Sequence, residues 1–202
     1  MKNYLISIFL LYSITLSSQL MGGFMSPTHT VTDIDGNEYK TVKIGTQIWM
    51  AENLRTATYN NGTSIPNVTS GSTWSGLTSG AWCYYDNNSS YNIPYGKLYN
   101  GYTIDNGNLC PTGWHVPDNG DFNTLINYNS TLTDSGFNAV FAGRRLENGN
   151  FYNPLSIGGA IYFFSSTFYT TTQRWVYIFY GQWSSGGRDT KVLGHSVRCI
   201  KD

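Results

Sequence analysis

The pattern of apolar and polar positions divides the chain into a short leader and one long domain. Tyr4 to Leu16 (YLISIFLLYSITL) is uncharged and apolar, follows Lys2, and is too short for a comfortable bilayer helix. Small residues at Ser17, Ser18, Gly22 and Gly23 come next. This predicts a secretory signal peptide over 1–18, cut near Ser17 or Ser18, and a flexible lead over 19–30. An uncleaved anchor is the alternative. No Cys follows the apolar run, which argues against a lipid anchor.

From Val31 the period becomes that of strands. Val31–Ile34 reads as a strand and Asp35-Gly36-Asn37 as a hairpin turn. Glu38–Ile44 alternates, Gly45-Thr46 turns, and Gln47–Ala51 returns with Ile48 and Trp49. Asn60–Gly80 is rich in Gly, Ser and Thr and predicts a surface loop anchored by Trp74 and Trp82. Trp82–Tyr102 sets six tyrosines (84, 85, 91, 95, 99 and 102) among Asn and Gly, which predicts irregular structure stapled by rings. One helix is clear, from Asp118 to about Tyr128. Asp121 takes the capping-box place, and Phe122, Leu125 and Ile126 share a face. Short aromatic strands follow at Asn138–Ala142, Ala160–Ser166, Arg174–Tyr180 and Ser196–Lys201. There is no internal repeat, and 31–202 reads as a single domain.

Charge narrows the function. Charged residues make up 12% of the chain, aromatics 16%, and Gly contributes 22 residues, a profile that suits an extracellular protein. Lys+Arg and Asp+Glu are equal at 12 each, so there is no basic field for nucleic acid and no polybasic membrane patch. No apolar stretch beyond the leader could span a bilayer.

Four separated motifs occur in order: Tyr39-Lys-Thr-Val-Lys-Ile-Gly45, Trp49-Met-Ala-Glu-Asn-Leu54, Cys110-Pro-Thr-Gly-Trp-His-Val-Pro-Asp118 and Gly194-His-Ser-Val-Arg-Cys199-Ile-Lys-Asp202. Together they resemble the Fibrobacter succinogenes major paralogous domain, a secreted bacterial module, from about Val31 to Asp202. The resemblance implies an extracytoplasmic location, secreted or at the cell surface, and fixes no biochemical activity. The order of elements is similar to the C-type-lectin-like fold and its formylglycine-generating-enzyme-like variant. The implied class is therefore α+β, with short antiparallel strands, one or two helices and long loops. Phe141-Ala-Gly-Arg-Arg145, Phe163-Phe-Ser-Ser-Thr167 and Ser196-Val-Arg-Cys199 fall where such proteins place corresponding elements.

Three cysteines leave one odd. Cys110 precedes the helix and Cys199 lies on the closing strand, so these two are paired, leaving Cys83 as a buried thiol. Pairing of Cys83 with Cys110 is the alternative. A competing reading uses Cys110, His115, His195 and Cys199 as Zn ligands, but the spacing matches no known finger. Asp33-x-Asp35-Gly36-Asn37 has its Gly in the wrong place for an EF-hand loop. Asp86, Asn87 and Asn88 with Asp105 could supply oxygens to a Ca²⁺, against the simpler reading of a polar turn. No cofactor is otherwise implied.

Catalytic patterns are thin: there is no Gly-x-Ser-x-Gly and no HExxH. Glu52 is read as a structural carboxylate paired with Arg55 or Arg198. The late aromatics Trp175, Tyr177, Tyr180 and Trp183 suggest binding instead, because ring faces stack on sugars. Trp175 is read as core; Trp183 is balanced between core and ligand platform, with Gln182, Ser184 and Arg188 as a polar rim. Tyr85, Asp86 and Asn87 are candidates in the first loop region, 60–91, and Gly181–Asp189 forms the second. The expected function is a non-catalytic binding or surface-display module for an extracellular glycan or another cell-surface polymer or protein. A secreted hydrolase or formylglycine-generating-type oxidase and a purely structural envelope protein are the alternatives.

Overall fold

A computed structural model describes residues 29–128, 136–152, 159–180 and 183–202, with backbone alone at Tyr180 and Trp183. The expected signal segment 1–18 and the lead up to residue 28 lie outside the described residues. In chain order the first strands are β1 Thr30–Thr32, β2 Glu38–Ile44, β3 Gln47–Met50, β4 Trp82–Cys83, β5 Leu98–Asn100 and β6 Trp114–His115. They are followed by β7 Arg144–Arg145, β8 Phe151–Tyr152, β9 Ile161–Phe168, β10 Gln173–Tyr180, β11 Trp183–Thr190, β12 Gly194–His195 and β13 Ile200–Lys201. The helices are α1 Gly71–Ser75, α2 Asn92–Tyr95, α3 Gly101–Ile104 and α4 Asn119–Tyr128.

Three sheets result: β1-β2-β3-β13-β6, β4-β5-β12-β7-β8, and the hairpin sheet β11-β10-β9. The expectation of an α+β, C-type-lectin-like fold is overturned. The described residues form 13 strands, and α4 is the only helix among them longer than five residues. Asn- and Gly-rich segments do not sustain a helical period, while Tyr, Phe, Trp and Thr suit pleated surfaces. No described helix is long and apolar enough to cross a membrane.

α4 begins as its sequence predicts. Asp121 N–H donates to Asp118 Oδ1 and Asp118 N–H to Asp121 Oδ2, both at 2.9 Å. This reciprocal cap satisfies donors that the first turn leaves free. The buried face, Phe122 and Leu125, meets Trp49 of β3 and Tyr177 of β10, with Phe122 stacked on Tyr177 at 4.3 Å and tilted on Trp49 at 5.5 Å. Phe137 and Phe163 close this aromatic core. Rings fill the volume that aliphatic residues fill in most domains.

A second core gathers Tyr39, Met50, Leu54, Trp82, Tyr99 and Val197 around the disulfide. Cys110 and Cys199 are bonded, with Cα atoms 6.0 Å apart, and Cys83 is a buried free thiol. The disulfide joins the entry to β6 and α4 to the closing strand, where β13 lies between β3 and β6.

Other local expectations need correction. Asn138–Ala142 forms no strand. Arg198 takes the carbonyls of Phe137 and Asn138, and Asn138 sits at φ 52°, off the extended region. Ser196–Lys201 is not one strand either: β12 ends at His195 and β13 starts at Ile200. Between them Val197 O and Cys199 O accept from Leu54 and Met50. Gly181–Asp189, expected as a loop, is largely strand β11. Its Ser-Ser-Gly-Gly centre hides the strand because the pairing comes from β10 and not from its own side chains.

Candidate functional site

The hairpin β10–β11 sets Trp175 directly opposite Arg188. Two residues on, the same face of β10 carries Tyr177 into the aromatic core, but Trp175 lies outside that core and is half-buried. A Cβ added at Gly186 would lie 3.4 Å from the indole, so the ring rests against a glycine of β11. Tyr169, at the turn between β9 and β10, meets Trp175 edge-on at 6.0 Å and is 45% exposed. The Arg188 guanidinium lies 4.2 Å over the Tyr169 ring and 5.9 Å from that of Trp175, and donates to the Tyr169 hydroxyl. Phe168, 58% exposed, continues the surface. Beneath it run Arg174, 4.1 Å from its ring, and Lys191, both held by Asp105.

The base of this face is fixed from inside. Asp189, beside Arg188 in β11, accepts from His195 Nε2 at 2.9 Å and lies 3.5 Å from Arg144. Burial would raise the Asp189 pKa, but the His195 hydrogen bond and Arg144 hold it below the usual carboxylate range. Burial pulls the His195 pKa down in spite of Asp189. His195 is wholly enclosed, with Tyr162 stacked at 5.5 Å and Phe164 edge-on at 4.5 Å. A substrate cannot reach it in this state, so the pair orders the strand.

Of the candidates named from sequence, Arg188 lies on this face. Trp183 pairs with Tyr180 through its backbone and only its backbone is described; Gln182 lies outside the described residues. Tyr85, Asp86 and Asn87 sit elsewhere, in a short 3-10 turn after β4, with Asp86 and Asn87 at positive φ. Tyr85 belongs to a run of half-buried rings, Phe151–Tyr85–Tyr91–Tyr95, but the first two contacts are edge-on. Its ring is wedged on Gly143, where a Cβ would lie 2.4 Å away, so Tyr85 is a packing residue. Asn87 donates to Thr69 O. Asp105, named as a Ca²⁺ ligand with Asp86–Asn88, is instead bonded through both oxygens, to Arg174 and Lys191.

The remaining candidates resolve as structural. Glu52 pairs with Arg55 at 2.7 Å, and although burial opposes it, the Arg55 and Lys40 hydrogen bonds lower its pKa. Asp33 accepts the amides of Asp35 and Asn37, so that loop is a hairpin turn. The Zn reading fails because the two sulfurs are joined, His195 faces Asp189, and His115 bonds Asp202 and Asp121. No group of three or more metal-ligating His, Cys, Asp or Glu exists among the described residues. Sequence reading placed Trp175 in the core and did not consider Tyr169. The usable signal was Tyr169's position just before Thr170-Thr171-Thr172, where a strand must turn into solvent.

The stretch from β2 to the end of α4 contains the Trp49-Met-Ala-Glu-Asn-Leu54 and Cys110–Asp118 motifs and the reciprocal cap they lead into. It matches a family model over residues 42–133. The model matched is that of the Fibrobacter succinogenes major domain. The matched residues include β3, the disulfide's first cysteine and α4. The Trp175–Arg188 face lies beyond the matched residues. No curated protein and no solved structure matches the chain.

Proposed function

We propose that this chain is a secreted, non-catalytic binding module of the bacterial surface whose ligand is a carbohydrate or another cell-surface polymer. The observation that carries the reading is the face formed by half-buried Trp175 with exposed Tyr169 and Arg188. A flat indole seated on a glycine strand offers stacking area, and the neighbouring guanidinium and threonine hydroxyls offer polar contacts. The apolar leader supports export, as does the disulfide, which oxidising compartments favour. The face itself brings no carboxylate cluster, so the binding is expected to be independent of Ca²⁺.

The test is retention on insoluble polysaccharides and a glycan array, with and without EDTA. Trp175→Ala should abolish retention and leave the melting temperature nearly unchanged. A large drop in stability would place Trp175 in the core, and a loss of wild-type binding in EDTA would move the site toward the Asp86 turn. Absence of wild-type binding to every glycan would sink the carbohydrate reading.

A further inference from the structure

The arginines of this protein divide sharply. Arg55, Arg145, Arg174 and Arg198 are buried. Apart from Arg55 Nε, their donors go to backbone carbonyls or to Glu52, Asp105 and Asn53. Arg144 is half-buried and paired with Asp189. Arg188 alone among the described arginines is exposed. Among the described residues it has no carboxylate partner, and its one side-chain hydrogen bond goes to the Tyr169 hydroxyl.

We propose that Arg188 makes the Trp175–Tyr169 face selective for carboxylated sugars, that is, for a uronic-acid polysaccharide. This rests on the glycan-binding reading above. Its place over the Tyr169 ring and its bond to the Tyr169 hydroxyl hold the guanidinium before any ligand arrives, which lowers the ordering cost of binding. One terminal nitrogen is occupied by the Tyr169 hydroxyl. The Nε and the other terminal nitrogen have no acceptor among the described residues. Those two N–H groups form the parallel fork that a planar carboxylate accepts in bidentate fashion. A sugar ring resting on Trp175 would bring a ring carboxylate within the span already bridged by Arg188, which lies opposite Trp175 in the hairpin. The nearest carboxylate along the strand, Asp189, is committed to His195 and Arg144 and does not neutralise Arg188. A neutral glycan offers the guanidinium hydroxyl acceptors alone, whereas a uronate adds a bidentate, charge-assisted pair.

The experiment compares polygalacturonate with its fully methyl-esterified form, with xylan as a neutral polymer, by affinity electrophoresis of the whole mature chain. Esterification removes the charge and keeps the ring. Wild type should bind polygalacturonate about tenfold more tightly than the ester, the scale of one charge-assisted pair. Arg188→Gln should erase that ratio by weakening polygalacturonate binding far more than binding of the ester, and Arg188→Lys should restore part of it. Equal wild-type affinity for both forms, or a ratio that survives in Arg188→Gln, overturns the charge selectivity while leaving glycan binding in place. Failure of the folded protein to bind any of the three polymers overturns this inference together with the reading beneath it. Arg188 is exposed, so an unchanged melting temperature should confirm that its variants are folded.

Discussion

Breaking the Cys110–Cys199 bridge should be the most damaging single chemical change to this domain. The two residues are 89 apart in sequence, so the bond closes a long loop in the unfolded chain. In the chain-entropy relation a loop of that length removes roughly 15 cal/mol/K from the unfolded state, about 4.6 kcal/mol at about 25 °C. The sulfurs are also buried, Cys110 at 4% and Cys199 at 0% exposure, so replacing both with Ala adds a packing loss of roughly 1 kcal/mol each. Reduced wild-type protein keeps those atoms and isolates the loop effect. Urea titration should therefore place reduced wild type about 4–5 kcal/mol below the oxidised form and the double Ala variant lower still. For a domain of this size the reduced form should melt about 10–20 °C earlier. The urea slope should rise in both, because an unlinked unfolded chain exposes more surface. A reduced protein within about 1 kcal/mol of the oxidised one would refute the argument that loop closure dominates.

Two further outcomes follow from buried and bridged charge. Partial burial opposes protonation of His115, but its hydrogen bonds to Asp202 and Asp121 outweigh it and raise its pKa above 6.5. Its contribution is therefore full below that value and lost as pH rises through the elevated one. For His195 burial wins, so its contribution is present above 6.5 and lost as pH falls toward its depressed pKa. Replacing each with Gln should tilt the stability–pH profile between about pH 5 and 8 in opposite senses, more positive for His115→Gln and more negative for His195→Gln. Urea midpoints across that range test it, and tilts of the same sign would contradict the assignments. Arg198→Met should cost about 3–5 kcal/mol, since it strips Asn53 Oδ1 and the carbonyls of Phe137 and Asn138 of their buried donor. Arg198→Lys should recover little of this, because an ammonium cannot reproduce the fork. A loss under about 1 kcal/mol in thermal or urea unfolding would show that water reaches those acceptors.

How much was legible in the sequence depended on how local the determining physics is. The α4 cap could be read because Asp118 and Asp121 act on amides within one turn of themselves. The β2–β3 hairpin could be read because its alternation and its Gly45 turn are contiguous; Val42 pairs with Trp49 as that spacing requires. The disulfide was legible through element order, though one alternative pairing stayed open. β11 was not legible: Ser-Ser-Gly-Gly has no strand preference, and its partner β10 decides its conformation. The class of the fold was misjudged for the same reason. Strands of two residues such as β6, β12 and β13 exist only through pairing across long sequence distances. The candidate face was half legible. Arg188 stood out beside the glycines, but nothing local distinguishes Trp175 from Tyr177, one at the surface and the other in the core.

The same non-local logic explains the low charge of the chain and gives Arg188 its significance. Six of the 12 Lys and Arg residues (Arg55, Lys97, Arg145, Arg174, Lys191 and Arg198) are buried. They do the work that regular hydrogen-bond ladders do elsewhere. Arg145 gathers the carbonyls of Gly149, Val68 and Thr69 while lying 4.5 Å from Trp74, and so ties the turn after β7 to the loop before α1. Lys97 donates to Arg55 O between the rings of Trp82 and Tyr84, and desolvation lowers its pKa to about 8. Irregular backbone buried without such donors would leave carbonyls unsatisfied at roughly 1–3 kcal/mol each. Irregular segments buried between short strands therefore need arginines inside. Arg188, exposed over Tyr169 and without a carboxylate partner among the described residues, makes no such buried contact, and removing it should leave the melting temperature nearly unchanged.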